Sequence, residues 1–100
     1  MIKLWHDDLR EAPNASWTIA RTNAEALELL RTGNVIECSL DHDLGVLEDG
    51  FELAETMAAE GLLPCRINIH SWNYSGARRM AAVLTAAGAE NVTTEEARYL

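Results

Sequence analysis

Basic side chains are scarce in this chain. Eight lysines and arginines stand against 16 aspartates and glutamates, so the formal net charge is −8. This balance excludes a protein that grips duplex nucleic acid through its phosphates, because that mode depends on many cations displacing counterions. A small phosphate-bearing ligand is still compatible, since a metal ion or a few local arginines can offset the repulsion inside one pocket.

Cysteine and long apolar runs are scarce as well. The two cysteines, Cys38 and Cys65, both fall in segments that we predict as strands. We expect small core thiols rather than a disulfide, because unpaired cysteine is often buried. No apolar run approaches the ~20 residues of a membrane span, and the amino terminus turns acidic at Asp7. These features predict no signal peptide, no membrane segment and a location in the reducing cytoplasm.

The apolar pattern predicts one domain over residues 1–100 in which strands and helices alternate. Hydrophobic residues make up 48% of the chain, which is enough for one core. The predicted strands cover residues 2–6, 17–21, 35–41, 65–70 and 91–94. The predicted helices start at the Thr22 and Asp49 caps and near Ser75, and end at Gly33, at Gly61 and near Ala87 with Gly88 as the cap. A short turn is expected after the last strand.

Alternating strands and helices predict a parallel sheet, because each helix serves as the crossover between two strands. The expected fold is a flavodoxin-like, doubly wound α/β domain with three layers and helices on both faces. Only about ten residues separate the first two strands, which is short for a helical crossover. The first helix is therefore predicted to be missing or reduced to a turn.

Acids and imidazoles follow several of the predicted strands. Asp7 and Asp8 come after the first, Asp41-His42-Asp43 ends the third, and His70-Ser71 ends the fourth. In an open α/β sheet, ligands bind in the crevice at these carboxyl ends. With strand order 2-1-3-4-5, the ends of the first, third and fourth strands are neighbours, so we expect one shared site.

Four carboxylates in one crevice predict a cation, because they repel one another unless a positive charge neutralises them. The candidate metal ligands are Asp7, Asp8, Asp41 and Asp43. Oxygen ligands favour Mg²⁺ or Mn²⁺, whereas added imidazoles admit Mn²⁺ or Zn²⁺. Two simpler roles stay open: Asp8 as the cap of a turn and Asp43 as a turn aspartate.

Asp41, His42 and His70 are the predicted catalytic residues. Two imidazoles in one pocket suit the paired proton transfers of phosphodiester cleavage, in which one group activates water and another protonates the leaving oxygen. His6, in contrast, is interpreted as a structural histidine.

Ligand contacts are predicted from Arg10, Ser71, Trp72 and Asn73. Ser71 and Asn73 could hydrogen-bond phosphate oxygens, although Asn73 could equally cap the following helix, whose amino end favours anions. Trp72 either stacks on a nucleobase or covers the core. Arg78 or Arg79, about one turn into that helix, could also reach the pocket.

Several of these segments together resemble the cyclic-phosphate-processing receiver domain family, over nearly the whole chain. The more specific pieces are Leu40-Asp41-His42-Asp43-Leu44-Gly45 and His70-Ser71-x-Asn73. Other matching pieces are Leu4-Trp5-x-Asp7-Asp8-x-Arg10, Thr22-x-x-Glu25-Ala26-Leu27 and Asp49-Gly50. The apolar residue expected by the family pattern is replaced here by His6.

The resemblance implies a divergent receiver fold and action on cyclic phosphate ends or cyclic nucleotides. It matches Asp7 and Asp8 to the Mg²⁺-holding acidic pair, Asp41 to the phosphoacceptor aspartate and Ser71 to the hydroxyl residue after the fourth strand. Ordinary receivers carry a lysine at the end of the fifth strand, and residues 91–96 contain none.

The leading hypothesis is therefore a metal-assisted phosphoesterase that opens a cyclic phosphate on a cyclic nucleotide or an RNA end. One alternative is a binding module or sponge that captures such a ligand without turnover. Another is a receiver-type signalling domain phosphorylated on Asp41.

Overall fold

The computed structural model describes residues 1–45 and 48–96. Strands and helices alternate along these residues. They are β1 (Ile2–His6), β2 (Thr18–Ala20), α1 (Asn23–Leu30), β3 (Val35–Leu40), α2 (Gly50–Glu60), β4 (Arg66–Ser71), α3 (Tyr74–Ala86) and β5 (Val92–Glu96). The predicted α/β succession is confirmed, including the missing helix between the first two strands. The predicted terminal turn lies outside the described residues.

Each helix begins at a side-chain cap supplied by the sequence. The caps are Thr22, Asp49 and Asn73, and each accepts the backbone N–H of the residue three positions further on. The carboxylate of Glu25 accepts the backbone N–H of Arg21 at 2.8 Å, next to the Thr22 cap. These caps satisfy amides that have no partner within the helix. They explain why the helices start where the chain leaves each strand's carboxyl end.

The five strands are all parallel and lie in the order β2-β1-β3-β4-β5, as expected. Their register decides what meets at the carboxyl edge. His6 is paired with Leu40, and Leu40 with Ile69. The next residues of the three strands, Asp7, Asp41 and His70, therefore emerge side by side.

The three helices pack in one row on one face of the sheet, α1 against α2 and α2 against α3. We expected helices on both faces, and right-handed crossovers explain the difference. The connections from β2 to β3, β3 to β4 and β4 to β5 all run in one direction across the sheet, so they lie on the same face. Only the connection from β1 to β2 runs the other way, and it is a loop without a helix.

The two faces of the sheet differ in chemistry. The helix-covered face carries the apolar core, in which Leu4, Leu40, Ile67 and Ile69 are almost completely buried. The core also includes residues of all three helices, among them Leu30, Leu53, Met57, Met80 and Leu84. On the other face, β3 and β4 present polar side chains such as Ser39, Asn68 and His70. Strand side chains alternate between faces, so these positions share the face of Asp7 and Asp41.

The two cysteines have different surroundings. Cys38 is a buried core thiol, as expected, and burial raises its pKa. Cys65 is exposed and precedes β4, so the prediction that it is a core residue is wrong. The strand begins one residue later than predicted, which leaves Cys65 in the connection that follows Pro64. In the described part of the chain, no helix combines the length and hydropathy of a membrane span.

Candidate functional site

Asp7, Asp41 and His70 form the centre of the candidate site. Each offers one ligand atom, and these three atoms all lie within 4.8 Å of one another. Asp7 and His70 are nearly inaccessible to solvent, whereas Asp41 is partly exposed. The strand register alone accounts for their proximity.

Asp7 is held as a carboxylate by several donors. Its Oδ1 accepts the backbone N–H groups of Leu9 at 2.9 Å and Arg10 at 2.8 Å, and its Oδ2 lies 3.0 Å from His70 Nε2. Burial alone opposes ionisation of this carboxyl group. The hydrogen bonds from Arg10, Leu9 and His70 outweigh burial, so the pKa of Asp7 lies below its usual value.

His70 is fixed on both sides of its ring. Its Nδ1 lies 2.6 Å from Ser39 Oγ, which also accepts a hydrogen bond from Asn68 Nδ2 at 3.3 Å. The ring is stacked on Trp5, with centroids 4.0 Å apart and planes 5° from parallel. Burial lowers the pKa of His70 more than the neighbouring Asp7 carboxylate raises it. A neutral ring fits these contacts, with Nε2–H donating to Asp7 and Ser39 donating to Nδ1.

Asp41 has the opposite electrostatic environment. Burial and repulsion from Asp7 raise the pKa of Asp41 from 3.8 to about 7. Hydrogen bonds from the backbone N–H groups of Asp43 and His42 and the positive charge of Arg10 oppose the shift without cancelling it. Two adjacent carboxyl groups with pKa values shifted in opposite directions are typical of functional sites.

A cavity of about 400 Å³ opens above this centre. All four carboxylates predicted as metal ligands line it, together with Arg10, Trp72 and Leu9. Arg10 lies over the Trp72 ring, 5.5 Å from the ring centroid. The cavity is thus acidic at its base, with one cation and one aromatic ring in its wall.

The two predicted acid–base histidines are not among the residues that line the cavity. Each instead contacts a carboxylate that does. His70 contacts Asp7, and His42 Nδ1 lies 2.7 Å from Asp43 Oδ1. The His42 ring packs against Gly76 in α3, where even a methyl group would approach its Cδ2 atom to 2.5 Å. Each ring therefore adjoins the cavity through its carboxylate partner.

The predicted ligand contacts differ in their placement. Arg10 and Trp72 line the cavity. Ser71 is buried, and its Oγ accepts the backbone N–H of Asn73 at 3.1 Å. Asn73 takes the capping role that was one of its two options, because its Oδ1 accepts the backbone N–H of Gly76 at 2.8 Å. Both side chains thus shape the start of α3.

His6 has the structural role that its position indicated. Its Nδ1 accepts the backbone N–H of Asp41 at 3.2 Å, and its Nε2 lies 2.9 Å from Asn23 Oδ1. A ring that accepts at one nitrogen and donates at the other is neutral. Burial lowers the pKa of His6 to about 4, in agreement with that form. His6 therefore orients the backbone of Asp41.

The residues present fit a divalent cation. Two carboxylate oxygens and one imidazole nitrogen within mutual reach are ligands that Mn²⁺ or Zn²⁺ accepts, and the carboxylates also suit Mg²⁺. The raised pKa of Asp41 marks negative charge that a cation would neutralise. If a cation bound His70 Nε2, the ring would carry its proton on Nδ1 and donate it to Ser39 Oγ, the kind of outer partner that histidine ligands usually have.

The sequence analysis did not predict the residues that hold His70, which are Ser39, Asn68 and Trp5. Their signal was present in the strands as polar positions at period two. Ser39 interrupts the apolar segment Cys38–Leu40, and Asn68 separates Ile67 from Ile69. A polar residue inside a buried strand needs a hydrogen-bond partner, which here lies on the adjacent strand.

The strand order and the acidic cavity at the carboxyl edge define a receiver-like α/β domain. The family model of the cyclic-phosphate processing receiver domain matches residues 2–86. This chain belongs to that family. The match covers every residue of the candidate site. No curated protein matches the chain in sequence.

Proposed function

We propose that this protein is a metal-assisted phosphoesterase that opens a cyclic phosphate. The supporting observation is the convergence of Asp7, Asp41 and His70 below a cavity walled by Arg10 and Trp72. Membership of a cyclic-phosphate processing family agrees with this chemistry. A free cyclic nucleotide or an RNA end with a cyclic phosphate is the class of substrate that such a cavity suits.

Asp7, Asp41 and His70 would hold a divalent ion, which supplies positive charge to stabilise the anionic phosphate oxygens. The guanidinium of Arg10 pairs with a further phosphate oxygen, since it is the basic group in the described cavity wall. Trp72 covers the ribose or base and excludes water from that side. Asp8 contributes negative charge at the rim.

Asp43 is the proton-transfer group in this proposal, with His42 as its positioning partner. Its side chain is 57% exposed, lines the cavity and is held at 2.7 Å from His42 Nδ1. Asp43 accepts a proton from the attacking water as the new phosphorus–oxygen bond forms. The bond to one ribose oxygen then breaks, and the pair returns a proton to that oxygen. One water is consumed and a phosphomonoester is released.

Turnover tests this proposal directly. Purified protein is incubated with 2′,3′-cyclic and 3′,5′-cyclic mononucleotides and Mg²⁺ or Mn²⁺, and phosphomonoester products are resolved by chromatography. We expect Asp43→Asn to lower kcat by about 10²- to 10⁴-fold, the range for loss of an acid–base group. Glu28→Gln is the matched control, because Glu28 is an exposed carboxylate on α1, outside the cavity.

Two outcomes would contradict the enzyme proposal and favour one of its alternatives. A ligand-dependent rise in melting temperature without any product, unaffected by Asp43→Asn, would indicate a binding module. Labelling of Asp41 by acetyl phosphate, without hydrolysis of any cyclic nucleotide, would indicate a receiver-type signalling domain. Calorimetry with each cation, on the wild type and Asp41→Asn, tests the metal separately.

A further inference from the structure

The surface of α3 beside the cavity differs in charge from the rest of the protein. The chain contains 16 acidic residues, yet the segment from Ser71 to Ala89 contains none. Two arginines, Arg78 and Arg79, lie within it, and both are exposed. With Ser75 and Ala82 they line a depression of about 340 Å³. An acidic protein thus has a locally basic surface next to its acidic cavity.

The six arginines within the described residues fall into two groups. Arg21, Arg31 and Arg66 each form an ion pair with a glutamate. A second group has no carboxylate within ion-pair distance among the side chains of residues 1–45 and 48–95, and each member lies over an aromatic ring instead. Its members are Arg10 over Trp72, Arg78 over Tyr74 and Arg79 over Phe51. Their charge is therefore available to a ligand anion.

Two aromatic rings are exposed at the same place. Trp72 is 50% exposed and Tyr74 is 55% exposed. The two residues are separated by one position, so their Cα atoms lie at most about 7 Å apart. Trp72 also lines the acidic cavity, so one of the two exposed rings borders the cavity and the other begins α3.

We propose that Trp72, Tyr74, Arg78 and Arg79, here called the α3 rim, bind single-stranded nucleotides adjacent to the terminal cyclic phosphate. The substrate is then an oligonucleotide end rather than a free cyclic mononucleotide. Exposed aromatic rings beside cations are the features with which proteins hold single strands, because bases stack and guanidinium groups contact phosphates.

The dimensions of the α3 rim suit a short strand. From Tyr74 to Ala82 the helix axis rises about 12 Å, which matches three or four stacked nucleotides at about 3.4 Å each. The rim is too small and too isolated to neutralise a duplex, in keeping with the net charge of −8. The identity of the end group as a cyclic phosphate rests on the proposed function. Binding of the single strand to the α3 rim can be measured without any turnover.

Fluorescence anisotropy with a labelled single-stranded oligoribonucleotide tests the α3 rim. Two versions of the strand are compared, one ending in a 2′,3′-cyclic phosphate and one in a 3′-hydroxyl, both with chelator present. We expect both to bind, and Trp72→Ala to weaken binding by about tenfold through loss of one base stack. The double variant Arg78→Gln/Arg79→Gln should reduce the slope of log K against log salt by about 1.4, or about 0.7 per phosphate contact.

The matched control is Arg31→Gln/Arg66→Gln. It changes the net charge equally, but both arginines form ion pairs with glutamates, Arg31 with Glu60 and Arg66 with Glu37. It should leave the affinity and the salt slope unchanged. Melting temperatures of all variants show whether each one folds.

The outcomes separate this inference from the proposed function. Binding of both strands without any turnover of cyclic substrates would support the α3 rim and contradict the phosphoesterase. Turnover of mononucleotides, with no binding of the 3′-hydroxyl strand, would support the phosphoesterase and overturn the α3 rim. An equal loss of affinity in the control double variant, or equal binding of a polyglutamate peptide, would also overturn it.

Discussion

Replacing Asp41 by asparagine is expected to stabilise the metal-free protein at neutral pH, although it changes a central residue of the site. Burial and the charge of Asp7 disfavour the ionised form of Asp41 and raise its pKa to about 7. In the unfolded chain the same carboxyl group ionises near its ordinary value of 3.8. Unfolding between pH 3.8 and about pH 7 therefore releases a proton, so the wild type loses stability as the pH rises through this window. Asparagine has no ionisable proton and avoids this penalty.

The magnitude follows from the size of the shift. A pKa difference of about three units corresponds to at most ~4 kcal/mol in the free energy of unfolding. Asp41 is only partly buried, and solvent screens its repulsion with Asp7. We therefore expect roughly half of this value, ~2 kcal/mol, at about pH 8. The pKa of about 7 already includes the opposing effects of the Arg10 charge and of the two backbone N–H donors.

The pH dependence has a defined sign and window. The folded state holds its proton more tightly, so the penalty in the wild type is absent below the unfolded pKa of 3.8 and grows until about pH 7. Urea unfolding of both proteins, with chelator present, measures the difference. The advantage of Asp41→Asn should be largest at about pH 8 and smaller at about pH 5.

Asp7→Asn provides the contrasting control. The pKa of Asp7 is lowered by donors that favour its charge, so this variant should lose stability at neutral pH. Equal destabilisation by Asp41→Asn and Asp7→Asn would contradict the opposite electrostatic environments of the two carboxyl groups. An advantage of Asp41→Asn that was independent of pH would contradict the raised pKa of Asp41.

Three further predictions concern the support of the site, and urea unfolding measures each of them. Ser39→Ala leaves His70 Nδ1 without its buried hydrogen-bond partner and should lower the free energy of unfolding by about 1–3 kcal/mol. Gly50→Ala directs a methyl group onto the Asp41 carbonyl oxygen and should lower the free energy of unfolding by about 1–3 kcal/mol or more. An unchanged urea midpoint in this variant would contradict the close packing at Gly50. His6→Gln should weaken the loss of stability as the pH falls from 6.5 towards 4, because the folded-state pKa of His6 is lowered to about 4. If His6→Gln lost stability between pH 6.5 and pH 4 as steeply as the wild type, His6 would not be neutral in the folded protein.

The order of the elements and the convergence of the site could be predicted because they depend on local signals. Caps such as Thr22 and Asp49 mark helix starts, and the apolar strands mark the sheet. In a parallel sheet the carboxyl ends share one edge, so residues after the strands meet whatever the details of packing. The crevice residues Asp7 and Asp41 could be identified for that reason.

The layers and the orientation of the histidines depend on longer-range geometry. The single face of helices follows from the direction of each crossover, which requires strand order and handedness together. The direction of the His42 ring is decided by the space above Gly76 in α3, a contact between residues 34 positions apart. The hydrophobic periodicity of the sequence does not predict the space above Gly76. The sequence therefore indicated which residues gather, but not that both rings lie outside the cavity lining and contact carboxylates that line it.

The electrostatics of the site connect stability to function. Asp7 is already ionised and satisfied by backbone donors, so its charge is fixed, and the resulting repulsion falls on Asp41. A hydrogen-bond network from the half-buried Asn68 through Ser39 to His70 helps to keep Asp7 in that state. Such an arrangement lowers the stability of the metal-free protein, because nothing neutralises the repulsion between the two carboxyl groups. A cation that binds here should therefore stabilise the wild type more than Asp41→Asn, because only the wild type has the repulsion to relieve.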